Sequence, residues 1–147
     1  GGSGLMEDCI MPRLLRESPV NAIWEGSGNV QCLDVLRAMN REPGVLDSFF
    51  AEVNRARGLN ADFDAFTGEL ENEFRHSDKL EYRARNLTDR MALAIQASLL
   101  LRGDNQTVAE GFCAGRLRQR SHFQFGNLPD DVDCAAIIER ATPSVED

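Results

Sequence analysis

The stretch LEYRARNLTDRMALAIQASLLL, residues 80–101, carries the longest regular pattern in this sequence of 147 residues. Apolar side chains recur in it every three or four positions, which is the repeat of one face of an α-helix. The members of this stripe are Leu80, Ala84, Leu87, Met91, Ile95 and Ser98 or Leu99. The pattern predicts one long helix from about Asp78 to Leu101, and Gly103 is placed to end it.

Two shorter helices are predicted on the N-terminal side of this stretch, because residues 46–53 and 63–74 repeat the same apolar spacing. Asn60 or Asp62 would cap the second of them. The phenylalanines of both segments can form either a core or a subunit interface, and they are Phe49, Phe50, Phe63, Phe66 and Phe74. The acids of the second segment are expected to face outwards, and they are Glu69, Glu71 and Glu73.

Two more helices are predicted on the C-terminal side. Thr107-Val108-Ala109-Glu110 reads as a capping box that opens a helix to about Leu117. Pro129-Asp130-Asp131 is expected to start a final helix through Arg140, with acids in its first turn that suit the helix dipole. No stretch alternates with period two for long enough to make a sheet. The predicted fold is therefore an all-α helical bundle of five to seven helices.

The composition limits the kinds of function. Asp and Glu number 24 against 16 Lys and Arg, so the chain is acidic. The four cysteines, Cys9, Cys32, Cys113 and Cys134, form no C-x-x-C pair, and there are only two histidines. This argues against a zinc site and against a disulfide framework. No apolar run approaches the ~20 residues that span a bilayer. We therefore expect reduced, half-buried thiols, no metal, no membrane partner and a cytoplasmic location.

Glu25 lies in the segment Ile23-Trp24-Glu25-Gly26-Ser27-Gly28-Asn29, directly before a predicted helix over residues 30–39. A carboxylate that is desolvated beside an indole has its pKa raised from about 4.3 towards working pH, which suits a general base. The alternative is a plain helix entry, in which the glycines relax the backbone and Ser27 caps the helix. Taken alone, these residues favour the helix entry.

Three further stretches reverse that balance, namely Gly1-Gly2-Ser3-Gly4-Leu5-Met6-Glu7, Pro12-Arg13-Leu14-Leu15-Arg16-Glu17 and Leu33-Asp34-Val35-Leu36-Arg37. Together with the Trp-Glu-Gly-Ser turn they resemble the C-terminal end of acyl-CoA dehydrogenases, a family of flavoenzymes. The form of the turn looks most like the alkylation-response, AidB-like branch of that family. The motif resemblance covers residues 1 to about 41. It implies that residues 1–42 end the dehydrogenase C-terminal helical domain and that residues 43–147, after a break at Pro43-Gly44, form an added helical domain.

The resemblance implies an FAD-dependent oxidoreductase that α,β-dehydrogenates an acyl-CoA thioester. In that family a glutamate removes the α-proton while the β-hydride passes to the flavin, and Glu25 matches that base. Gly26 would give the thioester room to approach the backbone. The positions that match cofactor contacts are Gly1, Gly2, Trp24, Gly26, Ser27, Gly28 and Asn29. Gly1 and Gly2 would admit the adenine dinucleotide end from a neighbouring subunit, unless Gly1 to Gly4 are a cloning linker.

The length bears on what this chain could do by itself. An acyl-CoA dehydrogenase holds its flavin and substrate between three domains, and 147 residues build about one. We therefore expect a C-terminal fragment of a parent protein that carries FAD. The fragment alone is expected to bind neither FAD nor acyl-CoA and to be inactive.

The AidB-like branch raises a second class of function, the binding of duplex DNA by the added helices. The candidate contacts are Arg83, Arg90, Arg116, Arg118 and Arg120. From Leu46 onward 12 Lys and Arg stand against 18 Asp and Glu, a net charge of −6. This balance disfavours phosphate binding and favours intramolecular pairs such as Glu81 with Arg85. A third class is structural, in which the added helices only pack the subunits of a homo-oligomer.

Overall fold

The computed structural model describes residues 1–76, 78–118, 126 and 128–144, and every regular element within these ranges is helical. The α-helices are α1 (Met11–Glu17), α2 (Gly28–Arg41), α3 (Val45–Val53), α4 (Ala61–Arg75), α5 (Leu80–Leu101), α6 (Gln106–Phe112) and α7 (Cys134–Ala141). Short 3-10 turns occupy Gly2–Gly4, Ser18–Ala22 and Asn54–Ala56, and a π-helical turn occupies Cys113–Arg118. The all-α fold predicted from the sequence is confirmed.

Helix α5 is the centre of the main core and packs against α3, α4 and α6. Phe63 and Leu70 of α4 are fully buried against it, as is Val53 of α3. The other four phenylalanines of these segments are half-buried against the same core, and they are Phe49, Phe50, Phe66 and Phe74. The aromatic residues therefore contribute to a core within the chain.

The apolar stripe predicted on α5 is confirmed, with Ser98 and not Leu99 as its last member. Ala84, Leu87 and Ser98 are buried, Met91 and Ile95 are half-buried against the core, and Leu99 is 56% exposed. Further buried positions in the second half of the helix are Ala94, Ala97 and Leu101. Helices pack on more than one side of this half of α5, so its buried surface is wider than one stripe, and small alanine side chains allow the close approach.

A second, smaller core joins α2 to α5. Cys32 and Leu36 of α2 pack with Ala84 of α5, and Met39 and Leu80 lie at the edge of this cluster. Between α2 and α3 the chain breaks at residues 42–44, where Gly44 takes a left-handed φ of 98°. The division of the chain into two domains at this break stays a prediction, because α2 packs directly on a helix of the second region.

Three helix ends test the capping predictions. Asn60 caps α4, since the N–H of Phe63 donates to its Oδ1 at 3.1 Å. The capping box at Thr107 is wrong, because α6 already begins at Gln106 and is capped by Asn105. The start of the last helix at Pro129 is also wrong, because α7 begins at Cys134 after the cap residue Asp133. In both cases an Asn or Asp outside the proposed motif accepts the N–H of the first turn.

Replacing Asn105 with Ala is expected to lower the free energy of unfolding by about 0.5–2 kcal/mol, because the Val108 N–H loses its acceptor at 2.9 Å. Thr107→Ala is the matched control on the same turn, since Thr107 lies inside the helix and caps nothing. Urea unfolding of both variants measures the difference. A larger loss in Thr107→Ala than in Asn105→Ala would support the capping box instead.

All four cysteines are free thiols. Cys32 and Cys113 are buried and Cys9 and Cys134 are exposed, so the expectation of uniformly half-buried thiols is wrong. Burial, with the nearby acids Asp62 and Glu110, raises the pKa of Cys113 to about 11. This thiol is therefore protonated at neutral pH and serves as core packing.

Most of the large apolar side chains that are exposed to solvent lie among residues 1–33. Those among residues 1–33 are Leu5, Met6, Ile10, Met11, Leu14, Leu15, Val20, Ile23, Trp24, Val30 and Leu33. A surface of this kind is typical of a region that contacts further protein. None of the helices within the described ranges has the length and apolar character needed to cross a membrane.

Candidate functional site

Glu25 lies in a tight turn between the 3-10 turn at Ser18–Ala22 and the start of α2. Its backbone is left-handed, with φ at 60°, and Gly26 follows with φ at 118°. A left-handed conformation costs a residue with a Cβ about 1–2 kcal/mol, so other contacts must hold Glu25 in place.

Gln31 supplies one of these contacts. Its Nε2 donates to the backbone carbonyl of Glu25 at 2.7 Å, which ties the turn to the first part of α2. A Cβ at Gly26 would lie 2.8 Å from the same Nε2. Glycine at position 26 therefore allows both the positive φ and the close approach of the Gln31 amide. Sequence reasoning missed Gln31, because a contact between a helix side chain and a carbonyl six residues earlier follows no recurrent motif.

The environment of the carboxylate differs from the sequence expectation. Trp24 is 60% exposed, and Glu25 is exposed as well. The expected desolvation of Glu25 by the indole is therefore not present in this chain. Most of the Trp24 surface and the Glu25 side chain face solvent, and desolvation would require protein or ligand packed over this turn.

Helix α2 begins without a side-chain cap. Ser27 is the cap residue and has an extended backbone, with φ at −64° and ψ at 157°, but its hydroxyl accepts no hydrogen bond from the first turn. Ser27 therefore occupies the N-cap position that the helix-entry alternative gives it, without making the capping hydrogen bond. Asn29 does not cap it either, because its side chain is used elsewhere. The first N–H groups of α2 keep the donor capacity and positive dipole end that favour anions.

A cleft of about 580 Å³ opens at this helix end. It is lined by Asn21, Ala22, Gly26, Ser27, Gly28, Asn29, Gln31 and Arg85. Four of the residues predicted to contact a cofactor are thus brought together, and they are Gly26, Ser27, Gly28 and Asn29. Trp24 and Glu25 lie on the same turn but do not line the cleft.

Arg85 reaches the cleft from α5. Its Nη2 and Nε donate to Oδ1 of Asn29, at 2.7 and 3.1 Å. The pair of Arg85 with Glu81 that the sequence suggested does not form. No sequence signal predicts this contact, because 56 residues separate its two members.

Gly1 and Gly2 lie apart from this cleft, at the 3-10 turn Gly2–Gly4, which packs against α1. Both are exposed, and a Cβ at either would meet no atom within 4 Å. The chain itself thus places no steric demand for glycine at these two positions.

The arginines suggested as DNA contacts on α5 make ion pairs within the chain. Arg90 is only 14% exposed, pairs with Glu73 and Glu69, and lies 4.8 Å from the Phe66 ring centroid. Arg83 pairs with the other carboxylate oxygen of Glu73 at 3.7 Å. Glu73 is thus half-buried between α4 and α5 and does not face outwards as expected.

The second group of arginines follows the π-helical turn. Nε of Arg118 donates to Asp62 at 2.9 Å and its Nη1 to Asp131 at 3.2 Å. These hydrogen bonds, with Asp62 the stronger influence, raise the pKa of Arg118. Arg116 is exposed on the same turn, and Arg120 lies outside the described residues. Among the described residues no group of three or more His, Cys, Asp or Glu could hold a metal ion.

Comparison with known proteins gives three findings. Residues 1–40 match the family model "Acyl-CoA dehydrogenase, C-terminal domain". The chain is 36% identical to the putative acyl-CoA dehydrogenase AidB of Escherichia coli K12 over 120 residues, which is 82% of this chain and 22% of that protein. It is 45% identical to acyl-CoA dehydrogenase family member 11 of Caenorhabditis elegans over 58 residues, 40% of this chain and 9% of that protein.

The family match and the similarity to AidB cover different shares of the chain. The family model ends at residue 40, one residue before the last residue of α2, so it covers the turn with Glu25 and the cleft residues of α2. The similarity to AidB covers most of the chain and must therefore extend into the added helices. The chain spans about a fifth of the length of AidB and about a tenth of the length of the other relative. The helical fold, the domain match and these similarities lead to one conclusion, which is that the chain belongs to the acyl-CoA dehydrogenase family.

Proposed function

We propose that this chain is part of a longer FAD-dependent, acyl-CoA dehydrogenase-like oxidoreductase, in which Glu25 removes the α-proton of an acyl-CoA thioester. FAD would supply the hydride acceptor. The observation that carries the proposal is the position of Glu25. Its carboxylate is exposed on a turn with a left-handed backbone, directly before a 14-residue helix without a side-chain cap. We also propose that the longer protein is cytoplasmic and catalytically active.

The backbone of the turn supports a role for Glu25 as a base. A base that acts on one face of a substrate must be held in a fixed position by a rigid backbone. The hydrogen bond from Gln31 fixes the carbonyl of Glu25, and Gly26 leaves the backbone beside it bare. The exposed Trp24 and Glu25 leave room for a substrate to cover them, which would desolvate the carboxylate and raise its basicity.

The residues of the cleft suit the phosphate-bearing part of FAD. The uncapped first turn of α2 offers N–H donors, and Gly28 brings no side chain between them and the cleft. Ser27 has a hydroxyl that the helix does not use. These groups would bind and orient the dinucleotide, while Glu25 stays on the neighbouring turn.

The exposed apolar surface of residues 1–33 supports a larger assembly around this turn. We propose that it is covered by the remainder of the longer protein and by another subunit of a homo-oligomer. Binding of duplex DNA gains no support, because Arg83, Arg90 and Arg118 are each neutralised by carboxylates of the same chain. An added region that only packs subunits is also less favoured, because its phenylalanines face inwards.

The 147-residue chain alone is expected to bind neither FAD nor acyl-CoA in a calorimetric titration, whereas the full-length protein should purify with FAD. Association costs at least about 4 kcal/mol of lost translational and rotational freedom. This chain would form only one side of the FAD site, and each of its few hydrogen bonds to FAD would offset about 1 kcal/mol of that cost. Anaerobic addition of a saturated acyl-CoA should then bleach the flavin absorption of the full-length protein. A full-length protein without flavin would overturn the proposed function. Micromolar FAD affinity of the chain alone would show that these 147 residues hold a complete FAD site.

A further inference from the structure

Arg85 connects the added helices to the candidate cofactor turn. It projects from α5, and two of its N–H groups converge on the side-chain oxygen of Asn29 in the first turn of α2. The chain between these two residues contains α3 and α4, so the contact exists only in the folded bundle. The family match ends at residue 40, and the contribution of Arg85 therefore comes from outside the matched domain.

The charge of Arg85 is not balanced within the described part of the chain. Arg83, Arg90, Arg102 and Arg118 each have a carboxylate oxygen within 4 Å. Within the described ranges no carboxylate lies that close to Arg85, and its hydrogen-bond acceptor is the neutral amide of Asn29. The guanidinium thus keeps its full positive charge at the lining of the cleft.

Gly28 shows how close this charge comes to the helix end. A Cβ at position 28 would lie 3.0 Å from Nη2 and 3.3 Å from Nη1 of Arg85. The guanidinium therefore rests against the backbone at the first residue of α2, where the helix dipole is also positive. Two positive groups at one point repel each other, and an anion between them would be bound by both.

We infer that Arg85 is a positioning residue for the diphosphate of FAD, an inference that rests on the proposed function. Arg85 holds the Asn29 side chain, and its other N–H groups, which have no acceptor among the described residues, are left for phosphate oxygens. The planar fork of a guanidinium suits this double task, because it donates to two acceptors at once. The long helix of the added region would thereby contribute directly to cofactor binding.

The test measures the dissociation constant of FAD from the full-length apoprotein by quenching of flavin fluorescence, in Arg85→Gln, Arg85→Lys and Arg83→Gln. Arg85→Gln is expected to raise the dissociation constant by about 10- to 100-fold, the size expected for loss of a charged hydrogen bond. It should also flatten the dependence of the constant on salt. Arg83→Gln is the matched control, since Arg83 lies on the same helix but pairs with Glu73, and it should stay within about twofold.

Arg85→Lys is expected to recover part of the lost affinity, because the charge remains while the fork is lost. It also serves as the second variant if the Gln protein does not fold, which the thermal midpoint of each apoprotein reports. Arg85→Gln protein that folds and binds FAD as tightly as the wild type would overturn the inference and leave the proposed function intact. A lysine variant that folds and shows no recovery would overturn the phosphate contact. Wild-type protein that takes up no FAD would instead overturn the proposed function.

Discussion

Glu25→Gln is expected to slow α-proton exchange on an acyl-CoA analogue by about 10²- to 10⁴-fold in the flavin-loaded protein, the range that a general base contributes. The amide keeps the shape of the side chain and loses its basicity. The left-handed backbone and the Gln31 contact involve only main-chain atoms of residue 25, so the turn should keep its form. The loss of deuterium label from the α-carbon, followed by mass spectrometry, measures the rate.

Glu17→Gln is the matched control for this change, because Glu17 is another exposed glutamate of the same region at the end of α1. It should leave the exchange rate unaltered. The FAD content of both variants should equal that of the wild type, since neither side chain lines the cleft. Exchange in Glu25→Gln at the wild-type rate would remove Glu25 from the role of base.

Leu87→Ala is expected to lower the free energy of unfolding of the chain by about 2–5 kcal/mol, because Leu87 is 1% exposed at the centre of the main core. Leu99→Ala makes the same chemical change on the same helix, but Leu99 is 56% exposed. That variant should stay within about 0.5 kcal/mol of the wild type. The pair isolates burial from helix propensity, since both variants gain the same alanine.

Urea unfolding followed by circular dichroism measures both variants, and equal slopes with denaturant would show that only stability has changed. Similar losses at positions 87 and 99 would contradict the arrangement of helices around α5. They would favour instead a stripe that ends at Leu99, which is the other of the two last members that the sequence pattern allows.

The parts of the fold that follow from local periodicity could be predicted from the sequence. Helix α5 begins and ends within two residues of its predicted bounds, because a long amphipathic repeat and Gly103 define it. The caps of α6 and α7 could not be predicted in the same way. Several residues near each start could accept the first N–H groups, and only the folded chain shows that Asn105 and Asp133 do so.

In the candidate site too, the contiguous motif could be predicted from the sequence and the long-range contacts could not. The Trp-Glu-Gly-Ser segment could be picked out because it is contiguous and matches a family motif. Its two supports, Gln31 and Arg85, could not, since a side chain that reaches a distant backbone or amide leaves no periodic signal. The exposure of Trp24 could not be predicted either. The sequence shows that the indole is next to the carboxylate, but it does not show whether other residues cover the two side chains.

The packing of α2 on α5 has a consequence for the order in which the chain is synthesised. Helix α2 leaves the ribosome ahead of α3 and α4, and its buried face, with Cys32 and Leu36, is covered by Ala84 only when α5 has followed. Until then the nascent helix exposes that face. Nascent residues 1–41 therefore depend on the later-made helix, and translation that stops before Leu80 yields a product exposed to aggregation or to chaperones.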